Sequence, residues 1–83
     1  MMSVKVLGTG CPNCQNLEKT VRKAVSVLGV DATVEKVTDI KDIVKYAVLS
    51  TPGLVIDGKV VCAGRVPSEA EVSAWLADAA SGA

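Results

Sequence analysis

The sequence predicts an α/β domain: a four-stranded mixed sheet with helices on both faces, in the order β-α-β-α-β-β-α. Three observations carry that expectation. Short Val- and Ile-rich stretches alternate with segments whose apolar residues recur at helical spacing, an Asp57-Gly58 pair joins the last two strand stretches as a hairpin, and Gly, Pro, Ser and Thr punctuate the joins. Two right-handed crossovers followed by a hairpin make the first and third strands central, antiparallel neighbours. The loop after Leu7 and the Thr51-Pro52 turn then meet at one edge of the sheet.

Ser3-Val4-Lys5-Val6-Leu7 is the first strand, broken by Gly8-Thr9-Gly10. Leu17, Val21, Ala24, Val25 and Leu28 form the apolar face of a helix, with Glu18, Lys19, Arg22 and Lys23 turned away. Gly29 reads as the left-handed residue that ends it, and Val30 as the apolar residue folding back. Val30, Ala32 and Val34 alternate with polar residues in a second strand reaching about Val37. Thr38 and Asp39 are N-cap candidates for a short helix with Ile40, Ile43, Val44 and Ala47 on one face, stopped by Ser50-Thr51-Pro52-Gly53. Leu54-Val55-Ile56 and Val60-Val61-Cys62 are the hairpin strands. Ser68-Glu69-Ala70-Glu71 is a capping box opening a last helix, with Val72, Trp75, Leu76 and Ala79 inward. Residues 1–83 make one domain, with 79–83 expected to fray.

Composition narrows the function classes. Hydrophobic residues are 49% and charged residues 22%, with nine basic side chains against nine acidic ones. That balance argues against disorder and against nucleic-acid binding, which needs a net positive face. No apolar run approaches the ~20 residues that cross a bilayer, and Lys5 interrupts the opening before a signal-peptide core forms. A soluble cytoplasmic protein, monomeric and without membrane contact, is the expectation. Fifteen valines suit a pleated core, while one Trp, one Tyr and no Phe leave little surface for stacking a flat ligand. There is no His, so histidine metal sites and histidine-dependent triads are excluded.

Cysteine carries the chemistry. The three cysteines stand at positions 11, 14 and 62, an odd and sparse set that suggests reduced thiols rather than a secreted disulfide scaffold. Gly10-Cys11-Pro12-Asn13-Cys14-Gln15 lies where the first strand passes into the first helix. With Cys11 at the N-cap and Pro12 at the first helical position, the N–H groups of Asn13 and Cys14 would point at the Cys11 sulfur. Together with the helix dipole they favour the thiolate, so the pKa should fall below the free value of ~8.5. Cys14, one turn inside, is less exposed and near enough to close a disulfide, which makes Cys11 the attacking and Cys14 the resolving thiol. Other readings of the pair are a chance spacing, half of a structural zinc site with only Cys62 left to add, or a soft-metal site between two thiolates.

Cys11-Pro12-Asn13-Cys14 ahead of an amphipathic helix, then Thr51-Pro52 just before Leu54-Val55-Ile56-Asp57-Gly58-Lys59-Val60-Val61, resembles the thioredoxin/glutaredoxin superfamily. The chain is most similar to its small thioredoxin-like proteins of archaea and anaerobic bacteria, often labelled redox-active disulfide proteins, over about Ser3 to Ala79. Copper chaperones also carry two cysteines after a first strand, but run strand-helix-strand-strand and place a methionine before the first cysteine, where this chain has Gly10. The resemblance implies a cis Thr51–Pro52 bond, with the Thr51 backbone available to pair with an extended substrate strand beside Cys11. It also implies that Gly64 belongs to the substrate-binding surface.

The departures are specific. Gly10 replaces the family's tryptophan before the first cysteine, so the surface around Cys11 should be flatter. No counterpart of the buried aspartate appears in Val4-Lys5-Val6-Leu7, which leaves Cys14 without an assigned proton acceptor. Glutaredoxins hold glutathione partly through Gly-Gly and a following Asp; here Ala63-Gly64-Arg65-Val66-Pro67-Ser68 keeps Gly64 and lacks the acid.

The function expected is thiol–disulfide exchange on protein disulfides, recycled by a reductase of the thioredoxin-reductase type. No cofactor is implied beyond the Cys11–Cys14 disulfide itself, and no metal. The alternative is a soft-metal or arsenic carrier using Cys11 and Cys14, with or without Cys62. Cys62 is otherwise a small buried residue, Tyr46 a packing residue, Trp75 core filling, and Lys19, Arg22 and Lys23 a solvated basic face.

Overall fold

The computed structural model describes residues 2–46 and 51–81. The elements come in the predicted order: β1 (Met2–Leu7), α1 (Pro12–Leu28), β2 (Ala32–Val37), α2 (Ile40–Val44), β3 (Gly53–Ile56), β4 (Lys59–Ala63) and α3 (Glu69–Ala80). The sheet order is β2-β1-β3-β4, with β1 parallel to β2 and antiparallel to β3, and β3 antiparallel to β4. Asp57 and Gly58 both have positive φ, 50° and 82°, the backbone that a two-residue hairpin turn requires.

Strand alternation sorts the side chains between two layers. Met2, Val4 and Val6 of β1 and Leu54 and Ile56 of β3 meet Leu17, Val21 and Ala24 of α1 and Val72 and Leu76 of α3. On the other face Leu7 and Val55 pack against Ile43 of α2, with Val37, Tyr46 and Val60 around them. Each fully buried Leu or Val here contributes roughly 1.5–3 kcal/mol relative to exposure, so the larger layer is the main source of stability. Lys5 Nζ donates to the Tyr46 hydroxyl at 3.1 Å, closing the smaller layer at its rim.

A bulge alters the edge strand. Leu54 pairs with Cys62 but Val55 pairs with Val60, which leaves Val61 as the extra residue of β4. Val61 and Cys62, consecutive in sequence, therefore both pack on the α1/α3 side.

Several expectations are corrected. Leu28 is 40% exposed, because a helix of 17 residues is about 25 Å long and overhangs strands of about 20 Å. β2 begins at Ala32 rather than Val30, since Val30 and Asp31 carry the chain back from the left-handed Gly29. In α2 only Ile43 is buried, while Ile40 and Val44 are 65% and 63% exposed. The sheet meets that apolar stripe at its Ile43 edge and extends the contact through Tyr46. Asp39, not Thr38, is the N-cap, accepting from the Lys41 N–H at 2.9 Å. Ala47 and Ser50, assigned to the α2 face and its stop, lie outside the described residues.

At the last helix the capping box of Ser68 and Glu71 is formed in both directions. Ala79 and Ala80, expected to fray, are helical: the Ser81 N–H donates to the Ala77 carbonyl at 3.0 Å and its hydroxyl to the Asp78 carbonyl at 2.7 Å. Gly82 and Ala83 lie outside the described residues. Trp75 is only partly buried, packed against the larger layer at its edge rather than filling it. No described helix is long and apolar enough to cross a membrane.

Candidate active site

The site is built where β1 gives way to α1. Cys11 is the N-cap, with extended backbone (φ −66°, ψ 161°), and Pro12 opens the helix where a missing N–H costs nothing. The Cys11 carbonyl accepts the first helical hydrogen bond from the Gln15 N–H at 3.0 Å, and Gln15 Nε2 donates back to the Gly10 carbonyl at 3.2 Å. Cys11 Sγ accepts from the Cys14 N–H at 3.2 Å. The Asn13 N–H, expected to share that role, does not: of the second and third helical positions that an N-cap side chain can reach, the sulfur takes the third, which Cys14 occupies.

Cys11 and Cys14 are joined as a disulfide, with Cα atoms 5.1 Å apart. Cys11 is partly exposed and Pro12 and Asn13 are exposed, whereas Cys14 is buried. One sulfur therefore faces the surface and the other the interior. Gly10 has φ 93°, and a Cβ there would meet no atom within 4 Å, so its glycine answers to the backbone and not to crowding.

The opposite wall comes from β3. Leu7 pairs with Gly53, so Gly8 and Pro52 leave the sheet side by side. The Thr51–Pro52 bond is cis, Pro52 is buried and Thr51 is exposed. The Gly64 N–H donates to the Pro52 carbonyl at 2.9 Å, tying the end of β4 to this turn. Thus Gly10, Cys11, Pro12, Asn13, Cys14, Thr51, Pro52 and Gly64 gather at one end of the sheet. Arg65, next to Gly64, is held by Glu71 in a two-pronged pair at 3.1 and 2.6 Å. That pair lowers the Glu71 carboxyl from 4.5 to about 2, with the Ser68 backbone N–H assisting.

Cys62 is buried in the larger layer, its Sγ 3.9 Å from the Arg65 carbonyl oxygen. Among the described residues no group of three or more His, Cys, Asp or Glu side chains is placed to hold a metal ion.

Sequence reasoning missed Gly8, Glu18 and Lys36. A Cβ on Gly8 would collide with Cys14 Sγ and come within 2.9 Å of Cys14 Cβ. Glu18, expected to face away, is only 18% exposed: its Oε1 lies 3.7 Å from Lys36 Nζ and its Oε2 3.0 Å from Arg22 Nε. Both Glu18 and Lys36 line a cavity of about 60 Å³ that also touches Gly8 and Cys14. The four-residue spacing of Cys14 and Glu18 puts both on one face of α1, and Lys36 shares the parity of Val34 on β2, signals that give the faces but not the distance between them.

The basic face of α1 is partly neutralised, since Arg22 pairs with Glu18, and Lys23 lies 3.7 Å from Glu69 of α3.

Comparison with known proteins agrees with this geometry. A family model described as Thioredoxin domain matches residues 2–77. The chain is 43% identical over 76 residues to a thioredoxin of Methanothermobacter thermautotrophicus, covering 92% of this chain and 99% of that protein. It is 41% identical over 76 residues to a thioredoxin of Methanocaldococcus jannaschii, covering 92% of this chain and 87% of that one. With a joined cysteine pair at the start of the first helix and this likeness over nearly its full length, the chain belongs to the thioredoxin family and has a redox function of the thiol–disulfide oxidoreductase type.

Proposed function

We propose that this protein reduces disulfides in protein substrates through the Cys11/Cys14 dithiol and is returned to that state by a reductase of the thioredoxin-reductase type. The observation that carries the reading is the division between the two sulfurs. Cys11 sits at the helix N-cap with a backbone N–H on its sulfur, and Cys14 lies buried one turn behind it. Hydrogen bonding and the helix dipole favour the Cys11 thiolate, the form that attacks.

The Cys11 thiolate attacks one sulfur of the substrate disulfide and expels the other as a thiolate, leaving a mixed disulfide on Cys11. Cys14, deprotonated, then attacks Cys11 Sγ. The bond between Cys11 and the substrate breaks, the second substrate thiol leaves, and the Cys11–Cys14 disulfide forms. Two electrons have passed to the substrate. Exposed Thr51, beside the cis bond, supports docking of an extended substrate segment along this edge, with Gly64 bordering it. A cytoplasmic setting suits this direction of transfer, because thiols are kept reduced there.

The test is a trap. Cys14→Ser should attack once and accumulate a mixed disulfide on Cys11, and Cys11→Ser should accumulate none and reduce nothing. Mass spectrometry of the adducts decides it, and stable adducts through Cys14 in Cys11→Ser, with none in Cys14→Ser, would reverse the assignment.

A further inference from the structure

The second half of that exchange needs Cys14 to lose a proton inside the protein, and β1 offers no acid beneath the pair: Val4, Val6 and Leu7 are buried apolar side chains, and Lys5 joins Tyr46 on the far face. We infer that Glu18, with Lys36 opposite it, is the acid–base group that takes the Cys14 thiol proton across the small cavity the three side chains share. The inference rests on the exchange reading above.

Three features of the structure support it. Cys14 and Glu18 stand one helical turn apart on α1, at the spacing that places side chains on one face. Both line the cavity of about 60 Å³, which has room for water, and water between a thiol and a carboxylate is a sufficient proton path. Finally, Gly8 holds Cys14 Sγ against the β1 exit, on the wall of this cavity, so the sulfur has little freedom to seek another acceptor.

Arg22 on the same helix and Lys36 on β2 are the cations that face Glu18, at 3.0 and 3.7 Å. From α3, Glu69 is turned to Lys23 instead, and β1 with the turn that follows it presents only Val6, Gly8 and Gly10 to the cavity. Lys36 is itself part of the cavity wall, so a negative charge arising on either Cys14 or Glu18 has a cation beside it. The step balances without another reactant. The Cys14 S–H proton passes to the Glu18 carboxylate, the Cys14 thiolate forms a bond to Cys11 Sγ as the Cys11–substrate S–S bond breaks, and the Glu18 proton then leaves to solvent or to the departing thiolate.

The test separates the two halves of the reaction. The reduced full chain is mixed with one equivalent of a chromogenic aryl disulfide, and release of aryl thiol is followed by stopped flow across pH. The first burst reports attack by Cys11 and the second reports resolution by Cys14. Glu18→Gln should leave the first burst unchanged and slow the second about 10²-fold near neutral pH. The loss should shrink as pH rises past about 8.5, where a thiol ionises without help. In Lys36→Met, which keeps the carboxylate, the second burst should reach half its maximal rate at higher pH than in the parent. Second-burst profiles of both variants that superimpose on the parent's would overturn the assignment, as would a slowing by Glu18→Gln that is equal at every pH, the mark of a merely structural role. Absence of the first burst from the parent would overturn the exchange reading and the Glu18 assignment with it; a normal first burst confines any failure to Glu18.

Discussion

Gly8 and Cys14 are in contact across the turn from β1 to α1, so closely that a Cβ on Gly8 would overlap the Cys14 sulfur. The restriction is steric, from a neighbouring sulfur rather than from backbone conformation, because Gly8 is not among the positive-φ glycines. Gly8→Ala should therefore push Cys14 out of its seat or open the β1 exit, where the Gly8 N–H donates to the Val37 carbonyl at 3.0 Å. We expect a loss of about 1–3 kcal/mol in stability, the usual cost of overpacking, measured by urea unfolding of the oxidised protein. A variant as stable as the parent would show that the contact is relieved at no cost.

The Arg65–Glu71 pair predicts a pH dependence. Glu71 has a folded pKa of about 2 against an ordinary value of 4.5, chiefly through the Arg65 hydrogen bonds. A depressed carboxyl stabilises the fold above its unfolded value, and that stability is lost as pH falls from about 4.5 towards about 2. Both side chains are solvent-exposed and screened by salt, so the effect is modest. Glu71→Gln should be less stable than the parent at about pH 6, with the gap closing by about pH 2. Urea midpoints at both pH values, at low salt, check it; a gap that persists in acid would assign the loss to the capping box alone.

The layers and the site were not equally legible in the sequence. Alternation in β1, the Asp57-Gly58 turn, the Gly29 stop and the Ser68–Glu71 box are local signals, and each is realised because local and tertiary preferences agree. The second helix misled because its stripe of Ile40, Ile43 and Val44 has no local mark saying which edge meets the sheet; only Leu7 and Val55, distant in sequence, select Ile43. The bulge at Val61 was equally hidden, since one extra residue in a run of Val60-Val61-Cys62 changes no residue type. At the site, the cysteine pair was readable from strand-to-helix context. Gly8 and the Glu18–Lys36 arrangement depend on how close α1 lies to the sheet, a distance that spacing alone does not supply.

Cys62→Ser should keep most of the disulfide-reducing turnover and still form the Cys11–Cys14 disulfide. The thiol is buried among the α1/α3 layer residues, and the active pair already contains its own resolving cysteine. The cost should fall on stability, at most about 1–3 kcal/mol for placing a hydroxyl in an apolar layer, offset in part if it donates to the Arg65 carbonyl. Turnover and urea unfolding on the same preparation separate the two effects. A folded variant that has lost most of its turnover would give Cys62 a part in the exchange.

The electron donor should be a reductase protein rather than glutathione. Glutathione brings two carboxylates and an amine, and a site for it needs unpaired N–H donors and free charges. The groups nearest to such a site are already engaged. The Gly64 N–H donates to the Pro52 carbonyl, and Arg65, the cation standing where glutaredoxins have an acid nearby, is matched on both prongs by Glu71. Recruiting Arg65 to a glutathione carboxylate would break that pair and release the Ser68–Glu71 capping box from its partner. A protein donor needs none of these groups; it can meet the exposed Thr9-Gly10 loop, partly exposed Cys11 and the Thr51 edge as a surface. Coupled assays decide the matter: the oxidised protein is offered millimolar glutathione with glutathione reductase, or an NADPH- or ferredoxin-linked thioredoxin reductase from its own source. Turnover should be efficient with a reductase and at least about tenfold slower with glutathione, a difference of about 1.4 kcal/mol in the barrier. Efficient turnover with glutathione and none with any reductase would make the chain a working glutaredoxin, and would require Arg65 to leave Glu71 in the complex.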